Sequence, residues 1–424
     1  MVTPITKEHR AWRRRVFIAT WLSYIGFYFC RKPFSVAKKA IEVQNHWKPA
    51  VTVGNVWAAY LIAYAIGAFL ASRVGTKIGP RKNLLIAMAV SVLVTIAMGV
   101  TITPWTMAGL VFVNGLAQGQ GWSSNVGTMA NWFHKHERGK VMGIWGTNFT
   151  FGSIGAGLAL GAVLGDSKAA DAPWEWCFYL GAIVLAVVWI QFYFLQRNEP
   201  EDVGLPGIDD PVTPQDEAKE VPSDKLSRDQ WTNILIVGGF YFFAKLVRYA
   251  VWSWSAYFLA SNYKLSGKDA AIYSILFDAM GIPGVFVTGW LSDRYFKSKR
   301  GGISLIMMIG MTVMTLLLVM FGNTSVAVFC ILLGAVGFFL YGPDALLSGA
   351  GAMDIGSRKT AMFATATIAV FGALGPIVQE VVIPRFYKED DLTVVFVILF
   401  LSSIMGSLFC GLLVWRNRRG GKGI

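Results

Sequence analysis

The sequence predicts an all-α membrane protein with twelve transmembrane helices in two pseudo-symmetric halves of six. Three observations predict this class. The chain of 424 residues is 54% hydrophobic and only 15% charged, apolar runs of membrane-spanning length recur along it, and its two halves share landmarks. The net charge of +13 does not indicate a nucleic-acid partner, because the basic residues lie in short breaks between apolar runs.

The individual helices follow from the apolar runs, since a helix needs about 20 apolar residues to cross roughly 30 Å of hydrocarbon. Twelve such segments are predicted at residues 16–40, 51–74, 83–101, 105–130, 141–164, 174–196, 232–262, 268–292, 302–321, 325–349, 360–384 and 391–415. A polar stretch rich in Pro, Asp and Glu separates the sixth from the seventh. We therefore predict an N-terminal half (1–197), a cytoplasmic linker (198–230) and a C-terminal half (231–424).

The loops predict the orientation of the chain. Basic residues concentrate at both termini and in the loops after the second, fourth and eighth helices, whereas the opposite loops are short or of mixed charge. By the positive-inside rule, both termini are predicted to lie in the cytoplasm, with the chain in the cell (inner) membrane.

The two halves look like copies of one unit. The loops "ASRVGTKIGPRK" and "TGWLSDRYFKSKRG" align when Thr76 matches Asp293, an offset of 217 residues, and the same offset relates Arg31 to Arg248. Two coincident landmarks favour a six-plus-six repeat. Parallel repeats of this kind place a substrate site at their interface near mid-membrane.

Arg31 and Lys32 interrupt the first apolar run. The stretch Val16–Cys30 would give about 22 Å of helix, too short to cross the hydrocarbon, so the helix is predicted to continue through both cations. Tyr24 and Tyr28 share the helical face of Arg31, whereas Lys32 points about 100° away. An alternative is that both cations reach the outer headgroups at a helix end.

Arg248 lies inside the seventh helix, because neither "WTNILIVGGFYFFA" before it nor "YAVWSWSAYFLA" after it could span the membrane alone. Lys245 shares roughly the same face. A charge in this position is expected to face a bundle interior or cavity and to have a ligand or a partner. The alternative to a ligand is a buried ion pair with Asp278, Asp344 or Glu380.

Two arginines from symmetry-related helices suit a planar multivalent anion. Guanidinium groups donate paired hydrogen bonds to phosphate and stay charged at any working pH. A carboxylate substrate could use the same pair.

Several motifs together resemble one known family. They are "FYFCRKPFSVA", "NGLAQGQGW", "NWFHKHERGKVMGIW", "RNEPEDVGLP", "LVRYAVWSW", "DAMGIPGVFVTGWLSDRYFKSKRG" and "GFFLYGPDALL". The chain is similar over nearly its whole length to the organophosphate:phosphate antiporters of the major facilitator superfamily. That family includes glycerol-3-phosphate and hexose-6-phosphate transporters and a related sugar-phosphate sensor. The resemblance implies that Arg31 and Arg248 are the two substrate-phosphate arginines and that Lys32 is the lysine following the first.

Departures from the family concern the organic part of the substrate. Ala68 stands where the family usually has a lysine, Phe149 replaces a histidine and Ser253 replaces an aspartate. Lys245 and Asp344 stand where apolar residues are expected. Relative to the family, the two arginines are therefore unchanged, whereas the charged residues around them lie at different positions.

Further candidate residues surround the arginines. Asp278 could bind substrate hydroxyls or pair with a cation, and Asp344, beside Gly342-Pro343, could carry a proton or pair with Lys245. Trp122 is a candidate for lining the cavity. Asp293 and Arg294 are predicted to form a conformational latch.

The function predicted from these features is exchange of a phosphorylated small metabolite for inorganic phosphate by alternating access. The same fold would also serve a sugar-phosphate sensor, or a proton-coupled symporter of an organic anion such as a phosphonate. The predicted partners are the organophosphate, inorganic phosphate and the lipid bilayer, with no nucleic acid, and the chain is predicted to be monomeric. We expect no nucleotide cofactor, since the chain has no GxxxxGK[ST] motif, and no zinc site, since its four cysteines are scattered with no CxxC pair. The sequence shows no catalytic arrangement that would indicate an enzyme.

Overall fold

The computed structural model describes residues 5–47, 50–208, 228–295, 300–347 and 358–418. A few side chains inside helices, including that of Asp293, fall outside this description, as do most of the predicted linker and the last two residues of the predicted tenth helix. Within the described ranges the chain is built from helices.

The N-terminal part begins with a long helix. Its elements are α1 (Lys7–Gln44), α2 (Val51–Ile78), α3 (Pro80–Gly99), α4 (Pro104–Gly119), α5 (Gly121–Trp132), α6 (Lys135–Trp145), α7 (Asn148–Leu164) and α8 (Trp174–Leu195), followed by a 3₁₀ turn, Pro200–Val203.

The C-terminal part is also helical over its described residues. Its elements are α9 (Arg228–Ser261), α10 (Gly267–Ser274), α11 (Leu276–Tyr295), α12 (Arg300–Phe321), α13 (Val326–Ala345), α14 (Arg358–Phe386) and α15 (Thr393–Arg418).

Helices occupy all twelve predicted segments, which confirms the all-α fold class. Within the described residues, ten helical segments are long and apolar enough to cross a membrane. The two outside that set are α1, which carries Arg31, Lys32 and a basic first part, and the interrupted pair α4–α5. The helix predicted at 16–40 is longer than expected, and it continues through Arg31 and Lys32 to Gln44.

Three predicted helices are broken in the structure. The interruptions lie at Gln120 between α4 and α5, at 146–147 between α6 and α7, and at Ile275 between α10 and α11. At the first break, the backbone stays hydrogen-bonded locally, since Gln120 N donates to the Ala117 carbonyl at 3.1 Å and the Gln120 carbonyl accepts from Ser124 N at 3.3 Å. The side-chain amide of Gln120 donates a 2.9 Å hydrogen bond to the carbonyl of Gly67 in α2, which ties the break to that helix.

Close helix approach in the first part depends on small residues. A Cβ on Gly119 would lie 2.5 Å from the carbonyl oxygen of Tyr64, so α4 and α2 meet backbone to backbone. Gly115 and Gly119 in "GLAQG" form a small-xxx-small pattern, which lets membrane helices approach closely. Pro33 has no N–H and therefore leaves the carbonyl of Phe29 without its usual helical hydrogen bond. Gly181 of α8 packs directly against that carbonyl, two residues before Arg31 in α1.

Packing within the second part pairs the helices that carry the candidate residues. Helix α9 packs mainly against α14 and α15, and α11 packs along α13. The α11–α13 approach is close, because Gly284 lies against the carbonyl of Phe338 and Gly337 against that of Phe277. This approach brings Asp278 and Tyr341 into contact.

The chain divides into two compact units, residues 1–48 with 55–213 and residues 49–54 with 214–424. The start of the predicted linker is attached to the first unit. Asn198 accepts a 2.8 Å hydrogen bond from the Arg81 amide at the start of α3, and Trp132 Nε1 donates to the Arg197 carbonyl at 3.0 Å. These contacts order the chain as it leaves α8.

Candidate functional site

Arg31 of α1 is buried in the first unit, with 5% of the residue exposed. Its guanidinium carbon lies 4.8 Å from the ring centroid of Tyr28, 4.9 Å from that of Tyr64 and 5.7 Å from that of Tyr60. A guanidinium within about 6 Å of an aromatic ring is attracted by the ring's negative face. Three tyrosines therefore hold the cation without neutralising it.

Gln118 of α4 fixes the orientation of this guanidinium. Its Oε1 accepts a 3.1 Å hydrogen bond from Arg31 Nε and a 2.8 Å bond from the Tyr60 hydroxyl. Its amide nitrogen donates to Ser91 Oγ and Asn114 Oδ1, both at 3.1 Å. Every donor and acceptor of Gln118 is therefore used, which leaves the side chain a single orientation.

Among the residues that the structure describes, the contacts of the Arg31 guanidinium are with neutral groups, namely Gln118 and the tyrosines. Its Nη2 atom is buried and donates no hydrogen bond. A buried cation normally has an acidic partner, because desolvating a charge is costly. The arrangement leaves a fixed guanidinium with a spare donor, which is suited to an anionic ligand.

The other candidate residues of the first unit lie on α1 and α5. Tyr24 lies next to Tyr28, with ring centroids 5.9 Å apart, and its hydroxyl is 3.3 Å from that of Tyr64. Trp122 packs edge-on against Tyr24 at 5.4 Å and remains 41% exposed. Lys32 is 1% exposed. The burial of Lys32 and Arg31 disagrees with the alternative in which both reach the headgroups.

The second unit contains a triad of two cations and one acid. Arg248 Nη1 donates a hydrogen bond to Asp344 Oδ2, and Lys245 Nζ lies 3.4 Å from the same oxygen. Both cationic side chains are 15% exposed, and that of Asp344 is 6% exposed. Of the three acids considered for pairing with Arg248, Asp344 is thus a partner, and it also pairs with Lys245 as the sequence suggested.

Tyrosines also surround the cations of the second unit. The Arg248 guanidinium lies 4.4 Å from the ring centroid of Tyr341, and Lys245 Nζ lies 4.9 Å from that of Tyr241. The Tyr341 hydroxyl in turn donates to Asp278 Oδ1. Tyr341 therefore contacts both Asp278 and Arg248.

The predicted latch is described only in part. Arg294 is exposed near the end of α11, and its guanidinium lies 5.5 Å from the ring of Trp290 and 5.9 Å from that of Tyr295. The side chain of Asp293 lies outside the described residues. The latch therefore stays a prediction.

Sequence reasoning missed the partners that α2 and α4 supply to Arg31. Tyr60 and Tyr64 lie four residues apart in "AAYLIAY", one helical face, and Gln118 is a polar residue inside the apolar run "NGLAQG". Polar residues within a membrane helix are expected to face its interior, so these positions could have been found.

Helices of membrane-spanning length that bury arginines among tyrosines and amides are typical of transport proteins. The model of the Major Facilitator Superfamily matches residues 16–379, and the chain belongs to this superfamily.

The curated relatives are transporters. The chain is 29% identical to a glycerol-3-phosphate transporter of Bacillus subtilis, over 94% of this chain and 92% of the relative. It is 26% identical to a probable hexose phosphate transport protein of Chlamydia trachomatis, over 89% and 87%. It is also 26% identical to a glucose-6-phosphate exchanger of Xenopus laevis, over 96% and 93%. These relatives confirm the resemblance predicted from the motifs.

Solved structures support the same fold. A D-xylose–proton symporter superposes with a TM-score of 0.74 at 15% identity, over 93% of this chain and 96% of that chain. A bacterial homologue of the human peptide transporters superposes with a TM-score of 0.74 at 14% identity, over 96% and 99%. The chain is therefore a membrane transporter of the major facilitator type and not an enzyme.

Proposed function

We propose that the protein exchanges a phosphorylated small metabolite, of the sugar phosphate or glycerol-3-phosphate type, for inorganic phosphate by alternating access. The observation that carries the proposal is Arg31, whose buried guanidinium is held by neutral partners and keeps Nη2 without an acceptor. The substrate class follows from the names of the relatives, which include glycerol-3-phosphate and hexose phosphate transporters.

The chemistry of a phosphoryl group fits this guanidinium. Its oxygens lie in a geometry that accepts paired hydrogen bonds from an arginine, and its charge offsets the cost of burying the cation. The Tyr60 hydroxyl already donates to Gln118, but the Tyr24 and Tyr64 hydroxyls lie 3.3 Å apart, and one of this pair can donate to a phosphoryl oxygen. A neutral sugar would leave the charge of Arg31 unmet.

Arg248 is the second phosphoryl ligand of the proposed cycle. It lies on a helix related to α1 by the internal repeat, and its side chain remains partly exposed beside Tyr341. An arginine in each unit favours exchange over one-way transport. Without a bound anion, the positive charges of Arg31 and Arg248 would be less well compensated, and this would disfavour the return of an empty carrier. Phosphate on the return step compensates the same residues. Tyr24, Tyr28, Lys32, Lys245, Asp278, Asp344 and Trp122 are proposed as further substrate-site residues.

Counterflow in proteoliposomes tests the proposal. Vesicles containing the purified protein and labelled phosphate are placed in unlabelled glycerol-3-phosphate, glucose-6-phosphate or buffer, and release of label is followed. We expect release only with an external phosphate ester or phosphate. Arg31→Lys and Arg248→Lys should each abolish release, because lysine keeps the charge but loses the paired donors. Arg416→Lys, the same exchange at an ion pair with the exposed Asp229, is the matched control.

The same assay separates the alternatives. A sugar-phosphate sensor would bind the ester without releasing label. A proton-coupled symporter, which the buried acids Asp278 and Asp344 would serve, would take up substrate only under a proton gradient and would ignore phosphate inside the vesicle. Either outcome would contradict the exchange mechanism.

The remaining assignments belong to the same proposal. The chain is proposed to act as a monomer in the inner membrane, with both termini cytoplasmic, two six-helix halves (1–197 and 231–424) and a cytoplasmic linker (198–230). Asp293 and Arg294 are proposed to latch one state. Impermeant labelling of cysteines introduced near each terminus tests the orientation, and labelling from outside intact cells would contradict it.

A further inference from the structure

We propose that the Asp344 carboxylate competes with the transported anion for binding to Arg248, and that Lys245 determines how strongly this carboxylate competes. This inference rests on the proposed function, since it concerns the phosphoryl site of the second unit. Lys245 and Asp344 stand where the resembled family has apolar residues, and the inference gives this pair a role in setting the affinity for the transported anion.

The contacts of the triad carry the first step. One carboxylate oxygen, Asp344 Oδ2, accepts from Arg248 Nη1 and lies 3.4 Å from Lys245 Nζ. Carboxylate and phosphoryl oxygens are both anionic acceptors, and they seek the same guanidinium edge. A phosphoryl group that engages this nitrogen must therefore displace Asp344.

Lys245 makes that displacement possible. A buried carboxylate that lost its cation would be strongly destabilised, but Asp344 keeps Lys245 beside the same oxygen when Arg248 turns to a ligand. The triad thus has two arrangements, with Asp344 shared between both cations or held by Lys245. The exposure of the cationic side chains, 15% each against 6% for the acid, leaves them within reach of an incoming anion.

The two units differ in this respect. Arg31 is oriented by the neutral Gln118, whereas Arg248 is bound by a charged acid. The apparent affinity of a site falls in proportion to the fraction of time in which it is available. Asp344 therefore lowers the affinity for phosphate and speeds its release, which a carrier needs in order to turn over.

The test is a double-mutant cycle read by phosphate self-exchange in proteoliposomes. Asp344→Asn should lower the half-saturating phosphate concentration about tenfold, near the lower end expected for loss of a charged hydrogen bond, and should reduce the maximal rate because phosphate leaves slowly. Lys245→Gln should raise the half-saturating concentration, because Asp344 then holds Arg248 more tightly. In the Asp344→Asn background, Lys245→Gln should have no further effect on it.

A matched control and a second readout separate competition from a structural role. Glu380→Gln removes another buried acid of the second unit, one that accepts from Ser253 and Gln379, and should change the half-saturating concentration by less than about twofold. In detergent, Asp344→Asn should lower the unfolding temperature of the empty protein but enlarge the rise produced by added inorganic phosphate.

The outcomes are distinct. Wild-type protein that fails to exchange phosphate overturns the proposed function itself. If the wild type exchanges phosphate, an unchanged or raised half-saturating concentration in folded Asp344→Asn overturns the competition. A Lys245→Gln effect of the same size in the Asp344→Asn background shows that Lys245 acts on phosphate without Asp344, and it overturns the inference that the lysine works by restraining that acid. An Asp344→Asn variant too unstable to reconstitute still reports by its phosphate-induced thermal shift, and a shift no larger than that of wild type counts against competition.

Discussion

The substitution Gln118→Glu should give the Arg31 guanidinium, whose hydrogen-bond partner is a neutral amide, an acidic partner instead. The side chain keeps its shape, and its Oε1 already accepts from Arg31 Nε at 3.1 Å. The substitution therefore adds a negative charge beside the proposed phosphoryl anchor while leaving the packing around it nearly unchanged. A carboxylate would then compete with phosphate for Arg31, as Asp344 is proposed to do for Arg248.

The size of the effect follows from the contacts. Opposite charges about 4 Å apart attract by roughly 4 kcal/mol at the effective dielectric constant of a protein. Glutamate also loses the two hydrogen bonds that the amide donates to Ser91 and Asn114, but this loss lowers stability equally with and without phosphate. If the new carboxylate gives up about half of its attraction to Arg31 when phosphate binds, apparent phosphate binding weakens by about 2 kcal/mol, or about 30-fold.

Phosphate self-exchange in proteoliposomes measures this change as a rise in the half-saturating concentration. Gln44→Glu is the matched control, because it makes the same exchange at a side chain of α1 whose amide also donates two hydrogen bonds, to the carbonyls of Ala169 and Ala172. It lies about 20 Å from Arg31 along the helix, so its effect should stay below about threefold. A folded Gln118→Glu protein with unchanged or improved phosphate affinity would refute the reasoning that Arg31 is an uncompensated anion ligand.

Two further predictions concern the supports of this site. Tyr60→Phe keeps the ring near Arg31 but loses the 2.8 Å hydrogen bond to Gln118, and should lower stability by about 1 kcal/mol and weaken phosphate binding only a few-fold, measured by thermal unfolding and exchange. Gly119→Ala would place a Cβ 2.5 Å from the carbonyl oxygen of Tyr64, and should lower the unfolding temperature through a cost of about 1–3 kcal/mol. Gly109→Ala, where a Cβ meets nothing within 4 Å, should leave the unfolding temperature unchanged or slightly raised. Equal effects of the two alanine substitutions would contradict the close approach of α4 and α2.

The positions of the helices and of the two arginines were predictable from run lengths. Val16–Cys30 is too short to cross the hydrocarbon, so α1 had to continue through Arg31, and the structure extends it to Gln44. The same reasoning placed Arg248 inside α9. The length of an apolar run is a local property, and a single sequence contains it.

The partners of these arginines were less accessible. Gln118 contacts Arg31 across 87 positions of the chain, and no periodicity within α1 or α4 specifies that pairing. Three acids were open as partners of Arg248, and it is the contact of α13 with α9 in the folded protein that brings Asp344 to both cations. The helix breaks were missed for a similar reason, since the side chain of Gln120 at the first break bonds to α2, a distant part of the chain.

The central claim is that Arg31 is the phosphoryl anchor of an anion exchanger. The most direct measurement compares wild type with Arg31→Lys in vesicles loaded with labelled phosphate and diluted into external glycerol-3-phosphate. The account predicts rapid release from wild type and none above background from Arg31→Lys, with both proteins reconstituted to equal amounts. Full release by the lysine variant would contradict it.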